Sequence, residues 1–507
     1  MDINFLIKSM LFLPLVASPI VYLLGRSSVR KGTFLGMSFA KMFTVLIILL
    51  EGCLTYFTAK DWIGTSSSIY TNIGTVLIGF DGVSCLMSLI VVILGFCVTL
   101  FSFPYMQDED GEEKFYALLL ALIGSIVGLG ISQDLFNLWV WFEVMAISTY
   151  FLVAFYHEQP ASLEAGFKYL TQSAVGSALA LFGIAVLFSQ TGTVYLPSFL
   201  GAFTALDPML YIGGILIIVG FGVKAALVPL HTWLPDAHSQ APSGISAMLS
   251  GIVIEAGLVA MLRIVIVLNE VTHIWGLILL VLGCVNILIG NLMALRQTEV
   301  KRLLAYSSIA QVGYMLVGFG VTLYIGFTTG ITGAAGGYFH MFTHALMKGL
   351  AFLAAGALLY VLHLAKGNHS PLVLDDLNGA SKKYPAVALM FSVALLGLGG
   401  LPPMAGFMSK WQILVGVAQG QTAWLIAVVI FVGLNSILSL AYYAPIINRM
   451  YRHEQSEVVT AGEAVSSWMI TPMVVLTIGI LLLGVWPSLI SKITVPAANI
   501  FLSPFGF

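Results

Sequence analysis

The sequence predicts an all-α polytopic membrane protein with about fourteen transmembrane helices, and three observations support this fold class. Of its 507 residues, 59% are hydrophobic and only 9% are charged, whereas a soluble domain carries about 25% charged residues. Apolar stretches of about 20 residues, each long enough to cross a bilayer as a helix, recur along the chain. The alternation of polar and apolar residues that a membrane β-barrel requires is missing from the sequence.

Fourteen apolar segments are expected to span the membrane, joined by short connections that contain Gly, Pro, Asp and Asn. The first is expected to be a spanning helix and not a cleaved signal peptide, because MDINFLIKSM has no basic start and no clear small-residue cleavage site. The predicted segments cover residues 5–24, 34–56, 81–103, 115–131, 135–155, 163–188, 210–231, 245–268, 274–293, 302–320, 330–360, 384–416, 422–448 and 468–486.

The positions of Lys and Arg predict the orientation, because cytoplasmic loops carry an excess of both. The side opposite the odd-numbered loops holds little more than Lys8, Lys60 and Lys492. The odd loops are therefore expected to be cytoplasmic and both termini to lie on the outer side, although the acidic loop at 108–114 fits this least well. The basic residues of the odd loops are Arg26, Arg30, Lys31, Lys114, Arg296, Lys301, Arg302, Lys366, Lys382, Lys383, Arg449 and Arg452.

Two segments contain helix breakers at membrane depth. The seventh reads GFGVKAALVPLHTWLPDAH, with Pro229 five residues after Lys224. The twelfth reads LLGLGGLPPMAGFMSKW, with Pro402 and Pro403 before Lys410. Broken helices at matching positions of two halves point to a transport site, and ordinary packing kinks are the alternative.

The interrupted segments are five apart in the order, which predicts two inverted five-helix repeats, helices 4–8 and 9–13. We therefore expect one transmembrane domain. Its repeats would occupy residues 115–268 and 274–448, preceded by three helices in 1–103 and followed by a C-terminal helix in 468–507.

Three ionisable residues of the first predicted repeat, Glu143, Lys224 and Glu255, are expected at membrane depth, where a charge at the bilayer centre costs at least ~3 kcal/mol. Glu143 and Lys224 lie mid-helix, and opposite charges on neighbouring helices lower each other's burial cost. We expect them to pair as a charge-driven proton switch, with a static ion pair as the alternative. Glu255 is isolated in SAMLSGIVIEAGLVAMLR, so it is expected either to be neutral at rest or to pair with Lys224.

The second predicted repeat contains a stripe of His340, His344 and Lys348, whose spacing of four puts them on one helical face. Because histidine exchanges protons near neutral pH, the stripe is expected to be a proton relay, with Lys410 as its last group. The alternatives are packing histidines, zinc binding by the two histidines, and a Lys410 that reaches the membrane interface.

A proton entrance is expected at His231, Asp236 and His238, which follow the first interruption; a capped loop is the alternative. No metal or redox cofactor is predicted on the chain, because Cys53, Cys85, Cys97 and Cys284 lack metal-binding spacing and no nucleotide, flavin or haem motif is present. A net charge of −2 without a basic block excludes nucleic-acid binding.

These residues lie in motifs that resemble the antiporter-like proton-translocating subunits shared by respiratory complex I, membrane-bound hydrogenases and Mrp-type Na⁺/H⁺ antiporters. The likeness covers roughly residues 80–450, and its motifs together are highly specific. They are FNLWVWFEVMAIS, GFGVKAALVPLHTWLPDAHSQAPSGISAMLSG, VKRLLAYSSIAQVGYM, FHMFTHALMKGLAFLAAG and GLPPMAGFMSKW.

The resemblance implies a central row of charged and polar residues along the membrane. It makes Glu143 the fifth-helix glutamate, Lys224 its seventh-helix partner and Lys410 the twelfth-helix lysine, with the histidine stripe between them. Lys301 and Arg302 match the basic pair that opens the LLAYSSI helix.

Glu255 departs from the family pattern, because many relatives have Lys or His at this position. A carboxylate there reverses the local charge, and we expect it either to change how protons are handled or to admit Na⁺. The absence of an extended lateral helix after residue 490 resembles the shorter subunits, while HMFTHALMKG resembles the largest, so the subfamily stays open.

The resemblance implies two alternative functions, and a third function of another class is a further alternative. The first is a proton-translocating subunit of a complex I-like redox-driven pump in the energy-transducing membrane, with redox cofactors on partner subunits. The second is a subunit of a Mrp-type Na⁺/H⁺ antiporter without redox chemistry. The third is a structural membrane scaffold, against which the buried charges argue. Other membrane subunits and lipid are the expected partners.

Overall fold

The computed structural model describes residues 2–28, 38–65, 68–107, 109–199, 202–205, 207–366 and 371–501. All of these ranges except 202–205 are mainly helical. The helices of the first half are α1 (Ile3–Ser28), α2 (Phe39–Thr65), α3 (Gly82–Tyr105), α4 (Glu112–Ile131), α5 (Leu135–Val153), α6 (Pro160–Thr191), α7 (Pro208–Lys224), α8 (Trp233–Gln240), α9 (Ser243–Met248) and α10 (Ile254–Asn269). A π-helical turn, Leu249–Val253, joins α9 to α10, and a 3₁₀ turn lies at Leu196–Phe199.

The helices of the second half are α11 (Ile274–Ala294), α12 (Val300–Ile325), α13 (Phe327–Lys366), α14 (Ala380–Lys383), α15 (Pro385–Gly399), α16 (Ala405–Ala418), α17 (Ala423–Arg452), α18 (Glu457–Ala461), α19 (Ser467–Val485) and α20 (Ser488–Ala498). Two 3₁₀ turns lie at Leu374–Leu377 and Asn499–Phe501. The long helix α13 forms the centre of the molecule, since it packs against α3, α9, α12, α15, α16, α19 and α20.

Membrane-spanning helices are confirmed as the building blocks. Within the described ranges, twelve helices are long and apolar enough to cross a membrane, and two shorter apolar helices are α7 and α15. These two are the predicted interrupted segments, because α7 ends at Lys224 and α15 at Gly399. The exact number of spans, the inverted repeats and the membrane orientation stay predictions. Residues 34–37 of the second predicted segment, together with Arg30 and Lys31, lie outside the described residues.

A β hairpin and a helix after the last predicted span are among the elements that were not predicted from the sequence. Strands β1 (Ile69–Ile73) and β2 (Val76–Phe80) form an antiparallel hairpin whose tight turn has Gly74 at φ +60°. The run IYTNIGTVLIGF is rich in β-branched residues around a glycine turn, which favours a hairpin. The chain also adds α20 after the last predicted span. This helix packs against the start of α3, where a Cβ on Gly82 would lie 2.4 Å from the backbone N of Ala497.

Small residues bring neighbouring helices into backbone contact. Helices α11 and α12 pack where a Cβ on Gly283 would lie 2.8 Å from the carbonyl O of Gly313. Helices α6 and α7 pack in the same way, because a Cβ on Gly176 would lie 2.8 Å from the carbonyl O of Gly220. Lipid gives helices no hydrophobic reason to associate, so such close packing is a main source of stability in membranes. The helices are therefore closely packed on both sides of the first interruption, α6 with α7 before it and α11 with α12 after it.

The backbone groups freed by the interruption after α7 are satisfied by side chains. The amide of Val228 donates to Oδ1 of Asn286 at 2.9 Å, and Nδ2 of Asn286 donates to the Ala226 carbonyl at 3.3 Å. The indole of Trp233 donates to the Val223 carbonyl at 2.8 Å. Non-helical backbone at membrane depth is tolerated only where such partners are available, so α11 and α8 fix the shape of the break.

A buried ion pair joins the start of α3 to α10. Asp81 caps α3 by accepting from the Ser84 amide at 2.8 Å, and it also accepts from both Nη atoms of Arg263 at 2.5 and 3.1 Å. Nη2 of Arg263 donates further to the Gly130 carbonyl at 2.7 Å at the end of α4. The pair therefore ties three helices together inside the protein.

Replacing Arg263 with Met is expected to destabilise the protein by about 3–5 kcal/mol, because it leaves the Asp81 carboxylate buried and unpaired. Arg263→Lys keeps the charge but loses the forked contacts, so a smaller loss is expected. Thermal unfolding of the purified protein in detergent measures both. The double variant Asp81→Asn/Arg263→Met should recover part of the stability, and a double variant no better than Arg263→Met alone would contradict the assignment.

Candidate functional site

Lys224, the last residue of α7, lies in a buried pocket made of hydroxyl and aromatic groups. Its Nζ donates to Oγ1 of Thr149 at 3.2 Å and lies 4.3 Å from the ring centroid of Tyr169 and 5.9 Å from that of Phe142. The Tyr169 hydroxyl is 2.8 Å from Oγ1 of Thr149. The ammonium is only 1% exposed, so aromatic faces and one hydroxyl replace its water shell.

Glu143 lies next to Phe142 on α5 and is only partly buried. The expected direct ion pair with Lys224 is not formed among the described residues at 4.0 Å or less, and Oε1 of Glu143 has no hydrogen-bond partner there. The two charges are held on adjacent helices without contact, because Lys224 is directed to Thr149 instead. This arrangement leaves room for the distance between them to change.

Glu255 contacts the second half of the chain. Its Oε1 lies 2.8 Å from Nδ1 of His344, and both side chains are completely buried. Glu255 is the second residue of α10, directly after the π-helical turn, and π turns occur often at functional sites. A Cβ on Gly257 would lie 2.8 Å from the Ala225 amide, so the same turn of α10 packs on the interruption beside Lys224. Pairing with Lys224 was one of the two expected states of Glu255. In the structure Glu255 contacts His344 and not Lys224.

His340 is held by α12 and α16. Its Nε2 lies 3.0 Å from Oε1 of Gln311, and its Nδ1 lies 2.9 Å from Oγ of Ser409. Nε2 of Gln311 donates to the Leu398 carbonyl at 3.1 Å, so its Oε1 accepts the proton on Nε2 of His340. A neutral His340 therefore accepts from Ser409 at Nδ1.

Lys410 lies beyond the second interruption and is buried within the protein. Its Nζ donates to the Leu398 carbonyl at 2.7 Å and to Oγ of Ser436 at 3.1 Å, and it lies 4.4 Å from the ring centroid of Tyr314. The lysine thus caps the end of α15 across the break. Gln311 donates to the same carbonyl, which links His340 and Lys410 through one atom of the broken helix.

The His340, His344 and Lys348 stripe is completely buried on α13, but its members contact different helices. His340 faces α12 and α16, and His344 faces α10. Nζ of Lys348 donates to the Leu304 carbonyl of α12 at 2.7 Å and to Oγ of Ser307. The stripe therefore contacts several helices. The four-residue spacing predicts that its members share one face of a helix, but it does not predict these different partners.

The three residues expected at an entrance have different environments. Asp236 forms ion pairs with Arg302 at 2.5 Å and with Lys168 at 3.1 Å, near the surface. His238 is completely buried, stacks on Phe352 with ring centroids 4.6 Å apart, and has no hydrogen-bond partner among the described residues. His231 is partly buried, and its Nδ1 is also without a described partner.

The helix α8 is fastened to the start of α12 by the predicted basic pair. Nζ of Lys301 donates to the carbonyls of Ala241 at 2.5 Å and Ser239 at 3.4 Å, at the C-terminal end of α8. Arg302 holds Asp236 of α8, and Ser239 donates to Glu299 at 2.5 Å. Burial acts to raise the pKa of Asp236, but hydrogen bonds from Arg302 and Lys168 hold it below its ordinary value.

Several site residues were not singled out from the sequence: Thr149, Tyr169, Asn286, Ser307, Gln311, Tyr314, Ser409 and Ser436. Gln311 carried a usable signal, because an amide inside the apolar helix VKRLLAYSSIAQVGYM needs a partner. The hydroxyl groups carried none, since Ser and Thr in membrane helices commonly bond to their own backbone.

Comparison with known proteins identifies related sequences over most of the chain. A family model described as "NADH:quinone oxidoreductase/Mrp antiporter, TM" matches residues 132–436, and one described as "NADH-Ubiquinone oxidoreductase (complex I), chain 5 N-terminus" matches residues 69–116. F(420)H(2) dehydrogenase subunit N of Methanosarcina mazei is 33% identical over 444 residues, covering 86% of this chain and 87% of that protein. NADH-quinone oxidoreductase subunit N of Desulfitobacterium hafniense is 31% identical over 480 residues, covering 90% and 92%.

Solved structures share the fold along nearly the whole chain. A chain of the membrane-bound sulfane sulfur reductase, an archaeal respiratory membrane complex, has a TM-score of 0.85 at 27% identity, covering 98% of this chain and 97% of that chain. A chain of respiratory complex I from Thermus thermophilus has a TM-score of 0.75 at 27% identity, covering 95% and 98%. A chain of the Mrp complex from Dietzia sp. has a TM-score of 0.85 at 21% identity, covering 99% and 98%, and shows the same fold.

Replacing Asp236 with Asn is expected to lower stability at pH 7 by about 1 kcal/mol or less, because solvent screens its ion pairs. The lowered pKa of Asp236 means that this stabilisation is present above the ordinary carboxylate pKa and is lost as the pH falls through the lower folded value. Thermal unfolding of wild type and variant should therefore differ at pH 7 and converge at acidic pH. Glu164→Gln, which removes an exposed partner of the same Lys168, is the control and should change little at either pH.

Proposed function

The chain belongs to the family of NADH:quinone oxidoreductase and Mrp antiporter membrane subunits, and from this premise we propose that it translocates protons as a subunit of a complex I-like redox-driven pump. The proposed route runs along Glu143, Lys224, Glu255, His344, His340 and Lys410, with Lys348 beside it. Electron transfer would take place on partner subunits, in the energy-transducing membrane, with both termini on the outer side.

The contact between Glu255 and His344 carries this proposal. It is a carboxyl–imidazole hydrogen bond of 2.8 Å between α10 and α13, buried from solvent on both sides. A proton moves along such a bond over a small distance, and the pair joins the helices around the first interruption to those around the second. The contact supports one continuous row in place of two separate clusters.

The first end of the row, at Glu143 and Lys224, is suited to respond to a neighbour's charge. Lys224 is held by one hydroxyl and by aromatic rings, with Glu143 on the adjacent helix but out of contact. Bringing the carboxylate nearer would favour the ammonium form, and moving it away would favour release of the proton. A change of charge in an adjoining subunit therefore has a direct means of driving Lys224.

The remaining gaps in the row require water. The rings of His340 and His344 have centroids 6.2 Å apart, and Gln311 ties His340 to Leu398 without itself being a proton carrier. Bridging waters connect polar groups over such distances at little free-energy cost. We expect the row to be hydrated transiently when Glu143 and Lys224 change distance.

Coupling to a redox reaction is supported by relatives that are subunits N of an F(420)H(2) dehydrogenase and an NADH-quinone oxidoreductase. Identification of the co-purifying subunits tests this part. Iron–sulfur and flavin or nickel subunits would support the redox-driven pump, whereas membrane subunits alone would favour an Mrp-type antiporter.

Lys224→Ala and Glu143→Ala are each expected to abolish proton transport while the complex still assembles, because each removes one half of the proposed switch. Proton uptake into vesicles containing the complex measures transport, and native gel electrophoresis measures assembly. Lys382→Ala removes an exposed lysine outside the row and serves as the matched control with near-normal transport. Fully active, assembled Lys224→Ala or Glu143→Ala variants would favour the scaffold function instead.

Glu255→Gln is expected to reduce the rate of proton transport by about a hundredfold or more. A positioned proton-transfer group typically contributes about 10²–10⁴-fold to a rate. The amide keeps the shape and can still contact His344, so assembly should be unaffected. Measuring H⁺ and Na⁺ uptake in the same vesicles separates the two expectations for this residue. Loss of Na⁺ uptake with H⁺ uptake retained would assign Glu255 to Na⁺, and no change in either would remove it from the row.

A further inference from the structure

A buried carboxyl outside the proposed row lies on α2. Glu51 is 0% exposed, and neither of its carboxylate oxygens has a hydrogen-bond partner among the described residues. Because the protein's own chain covers it completely, a partner subunit or a lipid headgroup cannot reach it without displacing these helices. Glu51 is the single acidic residue of the apolar run LIILLEGCLTYF, which is the same pattern that marks Glu143.

Three hydroxyl groups near Glu51 have the same property. Oγ1 of Thr44, Oγ1 of Thr55 and Oγ of Ser88 are all buried and have no partner in the described part of the chain. Leaving a buried polar group unsatisfied costs about 1–3 kcal/mol. Four such side chains in one region are best satisfied by water, which binds where several polar groups line the same space.

Helical geometry places these groups on one side of α2. At 100° per residue, Thr44, Glu51 and Thr55 lie within about 40° of one another around the helix axis. Gly52 contacts Val92 on α3, since its Cβ would lie 3.3 Å from a Val92 methyl. Ser88 is one turn from Val92 on the antiparallel helix α3. Ser88 therefore faces α2 at the level of Thr55, and Thr44, Glu51 and Thr55 lie together on the buried side of that helix.

The polar side of α2 runs across most of the membrane. It begins at Lys41, which forms an ion pair with Glu112 at 3.2 Å, while Ser38 donates to the same carboxylate at 2.8 Å. It continues to Thr58, about 26 Å further along the helix axis, against a hydrocarbon core of ~30 Å. Lys41 already has its countercharge in Glu112, so it does not neutralise Glu51 at about 15 Å along the axis.

We infer that Glu51 is a proton-exchanging site in a second polar track, between α2 and α3, that opens at the Lys41–Glu112 end. An unpaired carboxylate at this depth is too costly to persist, so the resting group is the neutral acid and its ligand is a single proton. Thr44 lies between Glu51 and the charged end of α2 and carries the water contact. Thr55 and Ser88 lie toward the other end of the track, where water joins their hydroxyl groups to the acid. The track does not depend on the proposed row through Lys224 and Lys410.

Infrared spectroscopy of the intact complex in native membranes tests this inference. The wild type should show a protonated-carboxyl C=O band that is missing in Glu51→Gln, and this band should shift to lower wavenumber when H₂O is replaced by D₂O. Thr44→Val should slow the shift several-fold. Thr58→Val is the matched control, because its hydroxyl already donates to the Leu54 carbonyl at 2.8 Å and should leave the rate unchanged.

Three results would overturn the inference: no Glu51 band in the wild type, a band that never shifts in D₂O, or equal slowing by Thr44→Val and Thr58→Val. Loss of the band on adding Na⁺ at constant pH would assign the carboxyl to Na⁺ and would also overturn it. If Glu51→Gln fails to assemble, Glu51→Asp, which keeps a carboxyl, takes its place. The C=O band should then move to a different wavenumber, and a band that does not move would contradict the inference.

Discussion

Two short apolar helices, α7 and α15, end at interruptions inside the protein, and the need to satisfy their free carbonyl groups away from bulk water governs the rest of the structure. Each carbonyl in such a place must find a donor on the protein. After α7 the donors are Asn286 and Trp233, and after α15 they are Gln311 and Lys410. The side chains that complete the broken backbone are thus members or neighbours of the charged row.

The two interruptions differ in whether the nearby lysine donates to a free backbone carbonyl. Lys224 is the last residue before the first interruption and turns away from the free carbonyls, towards Thr149 and Tyr169. Lys410 follows the second interruption and turns back to the Leu398 carbonyl. A proton lost from Lys224 changes contacts with side chains alone, whereas a proton lost from Lys410 also weakens a bond to the backbone of α15. The second interruption is therefore the one whose shape depends on the charge state of its lysine.

Much of the fold and some of the site could be predicted, because membrane insertion makes charges and helix breakers conspicuous. Lone charges such as Glu143 and Lys224 stand out, and the prolines after Lys224 and before Lys410 mark the interruptions. Hydrogen-bond partners could not be predicted, since whether Thr149 or Gln311 meets a lysine or a histidine depends on how distant helices pack. The π turn before Glu255 has no sequence signal either, and it sets the direction of that carboxyl. The β hairpin could not be predicted from spanning length, because its twelve residues are too few to form a membrane-spanning helix.

The contact with His344 also explains how a carboxyl fits at position 255. A lysine opposite an imidazole would place two groups of the same sign together whenever both were protonated, which is costly in a buried site. A carboxyl and an imidazole that share one proton form either a neutral acid beside a neutral ring or a carboxylate beside an imidazolium, and both arrangements have zero net charge. Moving the proton between Glu255 and His344 therefore changes no net charge inside the membrane, so the reversed sign at this position lowers the cost of the transfer across the middle of the row.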